Sequence, residues 1–452
     1  MHPRLRLLLC PALLSACNLA HQTPPPIINA PTHWQHAQEG NAVIDQHWWQ
    51  AFGSTQLNSL IAEALRSNND LEAGKQRVEQ ARAQALIAGA PLWPMLSLGA
   101  NVNAERSQQG NRDQQTGSFS IAYEVDLWGS NRARRAAGAA LALSENAALA
   151  ALQLVITAEV TQNYFTLSAL DQRQRIAEHY QNSVADTLTI IQARFKAGAV
   201  SKLDVLQQQT ELATARANLA LLKQQVMVAA NSLAILLGRP PQRADFKIEP
   251  FTVFTPPQPI ATQPASLLQR RPDLHQIEMT LTAAQANITV ARAAFYPRLQ
   301  LNLEPLASTA QPGSVALTLL AGLTQPIFQG GQLQGEWQRT LARHAELLAN
   351  YRQTLLTALT EVENAALTRQ QASLREQALN QAVQQARAAY QLSQTRYQVG
   401  LIDYPTLLNT QRSLLNAENN QIQAQLDVLI AAANLYKALG GGWEHIDHIP
   451  CI

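Results

Sequence analysis

Two periodicities alternate along this chain. Over residues 203–237, mostly small and apolar residues return every seventh position: Val205, Leu212, Leu219, Val226 and Leu233 form one seam, and Gln208, Ala215, Leu222, Ala229 and Leu236, apolar but for Gln208, the other. Over 405–439 the same spacing gives Leu407, Leu414, Gln421, Val428 and Leu435, beside Thr410, Ala417, Ala424, Ala431 and Ala438. One amphipathic helix in a globular core could show such a stripe briefly. A heptad sustained in both segments predicts long antiparallel coiled-coil helices instead, and alanine along a seam lets helix axes approach closely. Proline placement extends the picture, because an interior proline costs a helix about 3 kcal/mol. No proline lies between Pro94 and Pro240, or between Pro326 and Pro405. Helices are therefore expected over about 130–197 and 331–399, each about 100 Å long if straight. Their shorter partners would span 203–237 and 405–439. Gly198 and Gly400 fall where a helix reverses, Gly238 and Gly440 where one stops. Another helix is expected from Thr55 to Gly89, ended by Pro91 and Pro94.

Four short segments alternate with period two instead. Leu96, Leu98, Ala100, Val102 and Ala104 share one face of 95–104, with Ser97, Gly99, Asn101 and Asn103 opposite. In 118–126, Phe119, Ile121, Tyr123 and Val125 oppose Ser118, Ser120, Glu124 and Asp126. Segments 299–303 and 315–324 alternate similarly. Such patterns predict strands with one apolar and one polar face, joined by polar hairpin tips. Beyond the first residues there is no uninterrupted run of 18 apolar residues, so strands are expected to carry any membrane crossing. Four strands cannot close a membrane barrel, and an open edge in lipid leaves backbone groups unpaired at several kcal/mol each. Either the sheet packs in water, or several copies share one barrel; three copies would supply twelve strands.

The chain is also written twice. Residues 195–238 and 397–440 align without a gap at an offset of 202, and Trp93-Pro94-Met95-Leu96 matches Tyr296-Pro297-Arg298-Leu299 at 203. A unit of about 200 residues is far longer than a solenoid repeat, so the halves read as one folded body. The expected organisation is a signal peptide over 1–16, an N-terminal tether over 17–54, a first repeat over 55–240 and a Pro-rich linker over 241–265. A second repeat over 266–440 and a tail over 441–452 follow.

Composition narrows the chemistry. Met1-His-Pro-Arg4-Leu-Arg6, the apolar Leu7–Leu14 and Ser15-Ala16-Cys17 form a secretory signal too short to span a bilayer. After its removal only Cys17 and Cys451 remain, so packing must hold the fold. The 34 Lys+Arg against 32 Asp+Glu leave +2, with no basic stripe to receive nucleic acid. His33, His36 and His47, and His445 and His448 with Cys451, are the nearest approaches to a metal set; both lie in terminal segments, and no metal or other cofactor is expected. No phosphate loop, nucleophile elbow or paired carboxylates in a cleft appear, which argues against an enzyme.

Several stretches carry a family resemblance over essentially the whole mature length. They are Trp48-Trp49 with Phe52-Gly53; Tyr123-Glu124-Val125-Asp126-Leu127-Trp128-Gly129; Arg270-Arg271-Pro272-Asp273-Leu274; Phe295-Tyr296-Pro297; Gln329-Gly330-Gly331; and Gln411-Arg412-Ser413-Leu414. In this order, with the duplication, the chain resembles the TolC-like outer-membrane factors of tripartite efflux pumps, in their NodT-type lipoprotein branch. Leu14-Ser15-Ala16-Cys17 is similar to a bacterial lipobox, which implies lipidation at Cys17, and Asn18 after it favours the outer membrane over the inner. The resemblance implies a mainly α fold with a small β part. A homotrimer would combine a twelve-stranded β-barrel in the outer membrane with a periplasmic α-barrel. It also implies a passive export duct that engages a periplasmic adaptor protein and an inner-membrane transporter of RND type. Its closing tip would lie at the Gly198 and Gly400 turns, with Lys202, Asp204, Asp403, Asn409 and Arg412 as candidate gate residues. Thr406 and Asn409 stand where relatives carry acids. A periplasmic coiled-coil structural or adaptor lipoprotein is the competing reading, disfavoured by the paired strands.

Overall fold

The computed structural model describes residues 31–37, 40, 44–107, 110–261, 263–308 and 315–443. Cys17 with its signal, and His445, His448 and Cys451, lie outside the described residues. The elements run α1 (Thr55–Ser67), α2 (Asn69–Gly89), β1 (Met95–Ser107), β2 (Gly110–Val125), α3 (Ser130–Lys196), α4 (Lys202–Leu236), α5 (Leu267–Arg270), α6 (Pro272–Ala293), β3 (Arg298–Ser308), β4 (Val315–Thr324), α7 (Gln332–Gln398) and α8 (Tyr404–Ala438). The two proline-free stretches hold helices of 67 residues each, followed by partners of 35. The expected helix over 55–89 is two helices. Asn68 is extended at φ −68, ψ 128. Its Oδ1 accepts from the backbone N–H of Asp70 (2.9 Å) and Leu71 (3.0 Å), so it caps α2 and cannot continue α1.

By Cα packing the chain forms two compact units, each drawing on both halves of the sequence. The first contains residues 76–148 and 273–353, the second 29–75, 149–272 and 354–452.

The first unit holds one antiparallel sheet in the order β1-β2-β3-β4. Strands β1 to β3 run further than their alternation does, because backbone pairing continues into the polar hairpin ends. Register aligns the faces: Leu96 lies opposite Ile121, Ile121 opposite Leu303, and Leu303 opposite Leu319, one apolar row across all four strands. Ser97 and Ser120 share the other face, their hydroxyls 2.6 Å apart, as do Glu124 and Gln300. Leu98, Leu319 and Leu323 stand 86%, 71% and 68% exposed, so the apolar face is uncovered within the chain. Below the strands α2, α3 and α6 meet through small residues. Ala137 and Ala140 bury against Ala283, and a side chain on Gly138 would press on Ala85 and Ala88 of α2. Asp126 turns β2 into α3 by accepting from the N–H of Asn131 and Arg132, both 3.0 Å.

The second unit holds α1, α4, α8 and most of α3 and α7. On α4 the buried positions include Val205, Gln208, Leu212, Ala215, Leu219, Ala229 and Leu233, the two expected seams. On α8 the expected seams are met only in part: near the start Leu407 is buried, but so are Tyr404, Leu408 and Gln411 beside it, and over 422–438 burial spreads to both sides. An aromatic cluster explains the change. Tyr436 stacks on Trp48 at 5.2 Å, and Phe52, Phe165, Phe254 and Tyr164 continue the set. Residues 44–54 and 250–255, read from sequence as the end of the tether and part of the linker, contribute Trp48, Trp49, Phe52, Phe251 and Phe254 to this core.

The duplication is visible at the helix ends. Gly238 follows α4 at φ 67, and a Cβ there would collide with the carbonyl oxygen of Ser67. Gly440 follows α8 at φ 92 and abuts the carbonyl oxygen of Arg270 in the same way. One expectation needs correction: α3 and α4 each contain an 18-residue stretch long and apolar enough by composition to cross a membrane, under a third of it buried within the chain. Alanines interspersed with rare charges raise the average without making an uninterrupted run.

Candidate functional site

The turns after α3 and α7 are two versions of one device. Gly198 (φ 73) and Gly400 (φ 78) take the left-handed conformation that ends each long helix. No neighbour crowds either glycine, so backbone conformation alone selects them. Each partner helix then starts on a cap. Ser201 and Asp204 form a capping box: the Ser201 hydroxyl accepts from the Asp204 N–H, and the Asp204 carboxylate accepts from the Ser201 N–H (2.9 Å). Asp403 caps α8 by accepting from the Thr406 N–H (3.1 Å), and hydrogen bonding by Thr406 holds its carboxyl below the usual carboxylate range. Both acids thus have a local role in shaping the turns.

The hairpins meet around Ile191, Val205, Tyr397, Tyr404, Leu407 and Leu408. Arg194 donates to the carbonyls of Tyr397 (3.4 Å) and Gln398 (3.2 Å), and its guanidinium lies 4.8 Å from the Tyr397 ring centroid. Lys202 is exposed, its Nζ 5.6 Å from the Phe195 ring. Asn409 and Arg412 line a groove of about 390 Å³ between α4 and α8, walled by Leu203, Leu206, Thr210 and Pro405.

One turn deeper lies a polar network bonding α8 to α4. Glu211 is 5% exposed; its carboxylate accepts from the Tyr180 hydroxyl (2.5 Å) and from Arg412, whose Nε lies at 2.8 Å and whose Nη2 also donates. Hydrogen bonding to Glu211 raises the Arg412 pKa, while burial, then the bond to Glu211, pushes the Tyr180 phenol up. Tyr404 donates to Gln208 Oε1, and Gln208 Nε2 donates to the Val184 carbonyl at 2.6 Å. Gln411 donates to Ser183 at 3.2 Å. Arg412 therefore joins a site, whereas Lys202, Asp204, Asp403 and Asn409 surround it separately. Sequence reasoning missed Glu211, Tyr180 and Tyr404. The available signal was Gln208, a polar residue on an otherwise apolar heptad seam.

Among the described residues no group of three or more His, Cys, Asp or Glu side chains could hold a metal. The site's chemistry is that of a polar clasp, with ion pair and hydrogen bonds tying one hairpin to the other.

Paired helical hairpins tied by a polar clasp, on a chain whose small sheet exposes an apolar face and two unpaired edges, define the subunit of a membrane channel. The outer membrane efflux protein family matches residues 60–239 and again 264–441, and the chain belongs to that family. The pyoverdine export outer membrane protein OpmQ of Pseudomonas aeruginosa is 36% identical over 96% of this chain and 97% of its own length. The toluene efflux pump outer membrane protein TtgC of Pseudomonas putida is 30% identical, covering 95% and 94%. Among solved structures, the outer-membrane channel OprN superposes with a TM-score of 0.87 at 26% identity, covering 94% of this chain and 100% of its own. The family consists of channel proteins, and its members form trimers and work in tripartite pumps with adaptors and inner-membrane transporters.

Proposed function

We propose that this chain is one third of a passive exit duct in the outer membrane, without catalysis of its own, closed at its periplasmic end by the Gly198 and Gly400 turns. The observation that carries the reading is the row Leu96, Ile121, Leu303 and Leu319 on a sheet open at both edges. Such a sheet is unsatisfied alone in lipid and is satisfied when β4 of one copy pairs with β1 of the next. Twelve strands then close, with leucines toward lipid and Ser97, Ser120, Glu124 and Gln300 toward water. Cys17 carries the lipid anchor. A periplasmic adaptor and an RND-type transporter supply cargo and energy; the relatives' names, pyoverdine and toluene, are too unlike for the duct to be the selector.

The clasp is the gate's latch. Opening the hairpins separates α8 from α4, and that breaks Arg412–Glu211 and Tyr404–Gln208. Asp204 and Asp403 keep the turns in shape, while Lys202 and Asn409 are exposed at the same end, where an adaptor would engage the hairpins. Trimers reconstituted in planar bilayers test this: Arg412→Ala and Glu211→Gln raise the closed-state leak severalfold, Asp204→Ala less. An unchanged leak in both clasp variants removes the latch. A lone folded subunit without a pore, by native mass spectrometry in lipid mimetics, removes the duct itself.

A further inference from the structure

A cavity of about 490 Å³ in the first unit lies where the strands give way to α3, α6 and α7. Four arginines line it: Arg134 on α3, Arg298 at the start of β3, and Arg339 and Arg343 on α7. Two of them are engaged. Arg339 donates to Glu336 (2.9 Å from Nε), and Arg343 to Glu346 (2.6 Å). Arg134 and Arg298 make no hydrogen bond or ion pair among the described residues. The remaining unpaired carboxylate at the rim is Glu124, so these groups, two cations against one anion, leave one positive charge. Leu141, Ala284, Val290, Ala291 and Leu347 supply its apolar lining. At one end Trp128 is fixed by stacking on Tyr296 at 4.7 Å and by donating its indole N–H to the Pro297 carbonyl at 2.7 Å.

The sheet says on which face the charged rim of this groove lies. Glu124 pairs with Gln300 on the face opposite the leucine row, and Arg298, two residues before Gln300, shares that face. The charged rim of the groove, Glu124 and Arg298, therefore lies on the face away from lipid, while Val125 of the opposite face also borders it. Guanidinium groups recognise carboxylate or sulfonate through paired N–H donors, and apolar side chains together with a fixed indole take a ring system. We propose that this groove is a lumenal binding site for aromatic organic anions, with Arg134 and Arg298 holding the acid and Trp128 the ring. The lumenal placement rests on the duct reading above; the chemistry of the groove does not. Such a site would hold anionic cargo briefly at the passage from helical tunnel to barrel.

Full-length trimers in lipid nanodiscs, with empty nanodiscs as the blank, allow equilibrium dialysis against indole-3-acetate. Tryptamine, with the same ring and opposite charge, is the control. Wild-type trimers retain indole-3-acetate and not tryptamine. Arg134→Gln and Arg298→Gln each weaken retention about tenfold, and the double variant abolishes it. Arg298→Lys recovers part of the affinity, since it restores charge without the paired donors. Equal retention of tryptamine, undiminished binding by the double variant, or no binding to wild type at millimolar probe overturns the site. Native mass of the same samples separates the two readings. Trimers that ignore the probe refute the site alone, whereas absence of trimers refutes the duct and the lumenal site together.

Discussion

Tyr164 is fully buried on α3, in the aromatic cluster of the second unit. Its hydroxyl donates to the Lys247 carbonyl at 3.5 Å and accepts from the Glu249 N–H at 3.3 Å. Burial raises its pKa from 10.0 to about 12. Because the folded pKa lies above the unfolded one, the folded state holds the proton more tightly. This contribution is full below pH 10 and is lost as the pH rises through 12. Over that window it amounts to about 3 kcal/mol. Denaturation followed from pH 9 to 12 should therefore show a steeper loss of stability in wild type than in Tyr164→Phe. Parallel curves would mean that the phenol ionises in the folded state as easily as outside it. Glu211 is a buried carboxylate that accepts from both Arg412 and Tyr180, and removing one partner strands the rest.

Among helix ends, glycines of equal backbone conformation do different work. Gly198 and Gly400 turn in open space, so an alanine there meets only the left-handed penalty, about 1–2 kcal/mol. Gly238 and Gly440 carry that penalty and also press against the carbonyls that end α1 and α5. Thermal unfolding should order the variants accordingly, Gly440→Ala and Gly238→Ala well below Gly198→Ala and Gly400→Ala. Equal losses at all four would show that packing against Ser67 and Arg270 contributes nothing. The break at Asn68 belongs to the same scale. Its side chain caps α2 and donates from Nδ2 to the Leu236 carbonyl at 2.9 Å, tying the start of one helix to the end of another. That bond spans 168 residues, and helical periodicity, a local property, has no term for it.

For the whole molecule, the duplication reaches beyond the single chain. The 203 offset carries Met95 onto Arg298, and their partners Ala122 and Thr324 then correspond. Applied to the pairing of Ile121 with Leu303, the same correspondence sets Leu323 of one copy opposite Ala100 of the next. Both residues lie on the apolar face, so the leucine surface continues across the seam, and a slip of one residue would invert it. In a Cys451→Ser background, oxidation of Leu323→Cys with Ala100→Cys should give covalent trimers. The displaced combination of Leu323→Cys with Leu98→Cys should cross-link poorly. Preferential linkage of the displaced pair would refute this register, even with trimers intact.

How much of this was written in the chain differs by element. Heptads, proline gaps and period-two segments locate α3, α4, α7, α8 and all four strands, because those signals are local and repeated. The Gly198 and Gly400 turns follow for the same reason, since a left-handed residue between two helices is a backbone requirement. The clasp did not follow. Glu211 and Arg412 are 201 residues apart, and nothing near either names the other; only hairpin packing brings them within 2.8 Å. Residues 44–54 and 250–255 looked like tether and linker because their aromatics have no period, yet the tertiary core selects them by shape and burial. Sequence by itself determined the four long helices and the four strands, and that the chain holds two versions of one plan, but not the break at Asn68 or the helices at 267–270 and 272–293. Tertiary structure decided which polar groups meet, which aromatics close the core and which cations are left unpaired, because those depend on distances in space that no local pattern encodes.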